Sequence, residues 1–187
     1  MKSTQLNTEA LVELCKSGDR AAQLELYRRY YKVMYNASFR IVKNSDDAED
    51  IMQDAFLMAF TKLNTLNNNT VFGSWLKRIV INNSFQHFNK NKKNIRVPIE
   101  DALNETKETT NVTDIGEENS DLQVRQVLKT IHTLKDNYRI ALTLNLIDGY
   151  DYEEISEIMG MSYGNCRTTI SRAKERLRQK LKKVMTY

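Results

Sequence analysis

One proline, Pro98, and six glycines are the whole supply of strong turn residues in 187 positions. Sheets and hairpins need such residues at short intervals and long helices do not, so the chain reads as all-α. The apolar spacing agrees. Leu11 and Leu14, then Leu24, Leu26, Tyr27, Tyr30 and Tyr31, predict a buried stripe broken at Ser17-Gly18-Asp19. Asn7 or Thr8 caps the first helix and Asp19 the one that resumes. Asp46-Asp47-Ala48-Glu49 reads as a capping-box start. Its helix buries Ile51, Ala55, Met58 and Ala59 and turns Asp47, Asp50, Gln53 and Asp54 mostly outward. The polar loop Leu66-Asn67-Asn68-Asn69-Thr70 leads into a helix from Val71 through Phe72, Trp75, Lys77, Arg78 and Asn82 and on past Phe88.

Residues 94–120 interrupt the pattern. They are rich in Asn, Thr, Glu and Asp, hold the lone proline, and carry too few apolar side chains to offset the entropy of ordering them. A flexible acidic linker is expected there, between two small helical domains at 6–93 and 121–183. The second domain opens with an amphipathic stretch at Leu122, Val124, Val127, Leu128, Ile131 and Leu134. A helix from Tyr138 to Ile147 follows and closes on Asp148-Gly149, a glycine suited to a left-handed cap. Asp151-Tyr152-Glu153-Glu154 is a second capping box, Gly160-Met161-Ser162 a tight turn, and Ser162 the cap of a final basic helix.

A short helix, a three-residue turn with glycine and then a basic helix make the helix-turn-helix pattern. Ile155, Ile158, Met161, Ile170 and Leu177 are its expected core. The second helix would present Tyr163, Asn165, Arg167 and Thr168 to base edges, since Arg pairs with guanine and Asn with adenine. Arg172 and Lys174 are placed to meet phosphates. Cys166 lies near that surface, where it reads as a small packing residue rather than a redox switch.

The net charge of +4 is modest, but its distribution is not even. Lys77, Arg78, Lys90, Lys92, Lys93 and Arg96 form one basic block, and Arg167 to Lys183 another, with the acidic linker between. Two such blocks suggest two contacts with a polyanion. Phe72 and Trp75 stay open between core and base stacking. The acid face at Asp47–Asp54 stays open between a solvated surface and a docking surface. Cys15 and Cys166 have no metal-like spacing, and neither His87 nor His132 has a catalytic partner in sequence, so no metal, cofactor or catalytic site is expected. The first ten residues lack a signal-peptide core and no apolar run reaches bilayer length, which favours a cytoplasmic protein without membrane insertion.

Three segments together resemble one family. Tyr150 to Leu177 is similar to the C-terminal domain of bacterial RNA polymerase sigma factors of the sigma-70 family, within the extracytoplasmic-function (ECF) group. Asp47-Ala-Glu-Asp-Ile-Met-Gln-Asp-Ala-Phe56 resembles that family's polymerase-clamp helix, and Phe72-Gly-Ser-Trp-Leu-Lys-Arg-Ile79 with Asn82 its promoter-melting segment. The resemblance implies a non-enzymatic specificity subunit whose partners are core RNA polymerase and promoter DNA, with an anti-sigma factor as a further partner in many relatives. It assigns Asp47, Asp50, Gln53 and Asp54 to polymerase. It assigns Asn67, Asn68, Asn69, Phe72, Trp75, Lys77, Arg78 and Asn82 to the opened start-proximal DNA. Where the family has Gly-Thr-Val-Lys-Ser-Arg, this chain has Gly164-Asn-Cys-Arg-Thr-Thr169, so promoter preference is expected to differ. A non-sigma helix-turn-helix regulator is the alternative, one with no need of the two N-terminal motifs.

Overall fold

A computed structural model describes residues 6–94 and 122–185, so the expected linker lies almost wholly outside the described residues. Eight helices make up the described chain: α1 (Thr8–Lys16), α2 (Arg20–Val42), α3 (Ser45–Thr61), α4 (Phe72–Asn94), α5 (Leu122–His132), α6 (Asp136–Leu142), α7 (Tyr152–Met159) and α8 (Tyr163–Met185). Two single 3₁₀ turns, Leu63–Thr65 and Asn69–Val71, join α3 to α4, and α6 widens into a π turn over Thr143–Ile147.

The helix starts are set by side chains that accept otherwise free amide protons. Asn7 Oδ1 accepts from Ala10 N at 2.9 Å, and Asp19 Oδ1 from Ala21 N and Ala22 N at 2.8 and 3.1 Å. The α3 start departs from the sequence reading. Asn44, not Asp46, is the cap, accepting from Asp46 N and Asp47 N at 2.9 and 3.0 Å. Asp46 and Asp47 instead lie in the first turn, where negative charge favours the helix dipole.

Helices α1 to α4 enclose a core that includes Leu11, Leu26, Met34, Ala37, Phe56, Phe72 and Leu76. Several stripe positions do not join it. Leu14, Leu24, Tyr31 and Met58 are exposed, and so are Leu122 and Val124 at the start of α5. Periodicity alone does not separate the buried centre of a stripe from its edges.

The second core crosses the expected domain boundary. Ile41 of α2 and Ile81 and Phe85 of α4 pack with Ile131, Ile140, Leu144, Ile155, Ile170 and Leu177 of the C-terminal unit. Polar groups at this junction exchange helix caps. Arg139, 1% exposed, donates from α6 to the carbonyl oxygens of Arg40 and Ile41 in the last turn of α2, and to Asp136 at 3.1 Å. In return Lys43, just past α2 in left-handed backbone at φ 62°, donates its Nζ to His132 O at the end of α5, at 3.0 Å. Each unit thus supplies the cation that satisfies orphan carbonyls at a helix C-terminus of the other.

His132 feels the charge of both cations, and its Nε2 is buried with no hydrogen-bond partner. Burial first, then the charges of Lys43 and Arg139, lower its pKa from 6.5 to about 4. The folded chain therefore disfavours the proton relative to the unfolded chain. The stability that rests on a neutral His132 is complete above about pH 6.5 and is lost as pH falls towards 4. Urea unfolding at pH 7.5 and 5.0 should show a larger loss for the native chain than for His132→Asn; equal losses would contradict the assignment.

Candidate nucleic-acid interface

The C-terminal helix pair is built by local signals that close on one another. Asp151 Oδ1 accepts from Glu154 N at 2.8 Å while Glu154 Oε2 accepts from Asp151 N at 3.0 Å, a complete capping box at the start of α7. Gly160 ends α7 at φ 60°, a left-handed conformation that suits glycine. Ser162 Oγ accepts from Asn165 N at 3.3 Å and starts α8. Ile155, Ile158, Met159, Cys166, Ile170, Ala173 and Leu177 are buried between the helices and their neighbours. Cys166 faces this core and not the outer surface, and burial raises its thiol pKa. Cys15 is likewise buried, and burial with the Asp19 charge raises it to about 11. Neither thiol is activated towards chemistry.

The outer face of α8 presents Tyr163, Asn165, Arg167, Thr168 and Arg172 to solvent, with Lys174 half-buried. Among the described residues neither Arg167 nor Arg172 has an acid partner. Tyr152 steadies the start of the helix: its ring centroid lies 6.5 Å from that of Tyr163 and 5.9 Å from Lys174 Nζ. Exposed guanidinium groups on a rigid helix, without acids to pair them, are what a polyanion requires.

The α4 residues divide differently. Phe72 is fully buried, its ring 5.4 Å from Tyr30 in an edge-on contact, so it offers no face to a base. Of the two readings of Phe72, the core one is correct. Trp75 is half-buried and lines an open cleft of about 700 Å³ with Arg29, Lys77, Arg78, Tyr150 and Glu154. Asn69 is held by Lys16 Nζ at 2.8 Å and Glu13 Oε2 at 3.0 Å. Asn68 caps its own turn through Thr70 N at 2.9 Å, and Asn82 is half-buried on α4. Asn67 is exposed and, among the described residues, its amide makes no hydrogen bond.

Lys77 and Arg78 carry the main surprise, because acids of the C-terminal unit meet both. Asp148, whose side chain is 1% exposed, stands 3.4 Å from Lys77 Nζ and 3.4 Å from Arg40 Nη2. Arg78 reaches Glu154 at 3.7 Å and Glu157 at 3.1 Å, with its guanidinium 5.3 Å from the Tyr150 ring centre. Sequence reasoning missed Arg40, Tyr150 and the role of Asp148. Capping and the family resemblance marked that stretch, and neither says what lies opposite.

On α3, Asp50, Gln53 and Asp54 are exposed together, beside exposed Leu57 and Met58. Gln53 bonds Glu49 at 3.1 Å. Asp47 stands apart, half-buried and 3.1 Å from His87 Nε2.

Comparison with known proteins places both units. The sigma-70 region 2 model matches residues 26–94, and the sigma-70 region 4 model matches residues 124–177. The chain is 31% identical to the ECF RNA polymerase sigma-E factor of Haemophilus influenzae, over 97% of this chain and 98% of the relative. It is 32% identical to the protein of the same name from Escherichia coli K12, over 96% of each. Its fold resembles that of a Bartonella quintana sigma factor solved with the anti-sigma factor NepR, at TM-score 0.57, 22% identity, and coverage of 84% of this chain and 95% of that one.

The division of α4 and its loop gives a direct check. Phe72→Ala should cost about 3–5 kcal/mol of stability as a core truncation, while Asn67→Ala should stay within about 0.5 kcal/mol. Chemical denaturation of both variants measures this, and comparable losses would contradict the placement.

Proposed function

The chain belongs to the ECF RNA polymerase sigma factors, and we propose that it serves as the specificity subunit directing core polymerase to a set of promoters and assisting their opening. One observation carries the reading. A single polypeptide combines, in the family's order, an exposed acid face on α3 with an exposed polar and basic face on the first turns of α8, where Arg167 and Arg172 have no acid partner among the described residues. A non-sigma regulator has no use for the first, and residues 26–94 match region 2 of the family.

In this reading 6–93 is the polymerase-binding and melting domain, 121–183 the upstream-element domain, and 94–120 the tether. The α8 surface enters the major groove, with Arg167 and Asn165 on base edges and Arg172 and Lys174 on phosphates. Asp50, Gln53 and Asp54, with Asp47 at the margin, dock on a basic clamp surface, where charge complementarity sets register. Asn67 supports capture of an unstacked base, Trp75 supports stacking, and Lys77 and Arg78 support backbone contact. Phe72 acts beneath this surface as packing. The protein works by binding, without chemistry of its own, and in the cytoplasm where polymerase is. No described helix is long and apolar enough to cross a membrane. An anti-sigma factor, as in the Bartonella quintana complex, is proposed as a further partner.

Two measurements test the assignments. Charge reversal at Asp50 and Asp54 should abolish co-elution with core polymerase without lowering the melting temperature; retained assembly would remove α3 from that role. Holoenzyme carrying Arg167→Ala should lose about 1–3 kcal/mol on duplexes selected from a random pool by the native holoenzyme. An equal loss on unselected duplexes would make Arg167 a backbone contact and not a reader.

A further inference from the structure

Tyr152 is the first residue of α7, and the capping box between its neighbours Asp151 and Glu154 fixes its backbone. Its ring packs against the C-terminal core and also meets two side chains of α8. One is Tyr163, with the ring centroids 6.5 Å apart; the other is Lys174, whose Nζ stands 5.9 Å from the Tyr152 ring centre. The Tyr152 hydroxyl makes no hydrogen bond among the described residues, so the ring itself carries these contacts.

The two partners come from distant points of one helix. Tyr163, Arg167 and Lys174 share one side of α8, with Lys174 about 16 Å along the axis from Tyr163. Helical side chains lean towards the helix N-terminus, so Lys174 reaches back along α8. Its ammonium ends beside the ring that Tyr163 also touches. Arg167 lies between them in sequence, exposed and without an acid partner among the described residues.

Lys174 has no acid partner among the described residues either. A lysine stem is flexible, and holding its ammonium at one point costs side-chain entropy. An aromatic face near the ammonium offsets part of that cost and leaves the charge intact. A carboxylate in the same place would hold the cation as well, but would cancel its attraction for phosphate. The ring orders Lys174 and leaves it fully charged.

We infer that Tyr152 is a positioning residue for DNA binding: its ring holds the Lys174 ammonium beside Tyr163, so that Lys174 meets a backbone phosphate where Arg167 reads the bases. The inference deepens the proposed role of α8 and rests on it for the assignment of that helix to DNA. Tyr152 acts through Lys174 and not by its own contact with the duplex.

The test measures binding of the full chain to a fluorescein-labelled duplex of random sequence across a salt series. Tyr152→Leu should weaken binding about threefold, the size of one cation–π contact at a partly exposed site. Lys174→Met should weaken it further and lower the salt slope by about 0.9, the share of one phosphate. With Lys174→Met already present, Tyr152→Leu should change affinity by less than about 1.5-fold, because the ring then has no cation to hold. Tyr152→Phe keeps the ring and should bind like the native chain. In the native chain, without any substitution, the Lys174 ε-methylene protons should resonate upfield of those of the other lysines. An equal loss from Tyr152→Leu with and without Lys174 would make the tyrosine a folding residue or a direct contact. A Phe variant as weak as the Leu variant would move the role to the hydroxyl. Either result, unshifted Lys174 protons, or a native chain that binds no duplex at any salt would overturn the inference. Failure of the sigma reading shows elsewhere, as absence of promoter-dependent RNA from native chain plus core polymerase.

Discussion

A buried guanidinium organises the middle of this molecule. Arg139 has almost no contact with solvent, and burial lowers its pKa while Asp136 opposes that shift. Its charge is tolerable there because the end of α2 supplies carbonyl oxygens carrying the negative end of a 23-residue helix dipole. The benefit is mutual. Without Arg139 the Arg40 and Ile41 carbonyls would face an apolar junction unpaired, and without them the guanidinium would be an uncompensated charge. Lys43 repeats the arrangement in the opposite direction on α5, and burial lowers its pKa too. Both groups fix where the C-terminal unit sits, and so what its acids touch.

From that placement the surfaces sort themselves. Apart from Asp47 and Lys174, the charged side chains of the α8 outer face and the α3 acid face are exposed and open to partners. The start of α4 looks into the junction, and its cations are shared with the neighbouring unit. The same side chains thus serve cohesion within the chain and, in the proposed function, contact with opened DNA. Such double use is possible because carboxylate and phosphate make similar demands on Lys and Arg.

Much of the fold could be read in advance, because its signals are local. The Asp151–Glu154 capping box, the Gly160 turn and the Ser162 cap each act within a few residues, and the structure bears out all three. The scarcity of proline and glycine correctly indicated helices throughout the described residues. Where reading failed, the cause was local at the start of α3 and a distant partner elsewhere. Asn44 displaced Asp46 as cap because two adjacent amides point at its side chain. Phe72 is buried because Tyr30, more than forty positions earlier, packs on it. The Asp148 contacts with Arg40 and Lys77 join residues that no periodicity links, so they were invisible to pattern. The α3 acids and the α8 face were identified as exposed surfaces from helical spacing, and all but Asp47 and Lys174 are exposed.

The claim that this chain gives polymerase its promoter specificity is tested most directly by transcription from a complete genomic template. Purified core enzyme with and without the chain is supplied with nucleotides, and the RNA 5′ ends are mapped. The account predicts discrete new start sites that share an upstream and a start-proximal sequence and appear only when the chain is added. A folded, inhibitor-free chain that leaves the start-site profile of the core enzyme unchanged would contradict it.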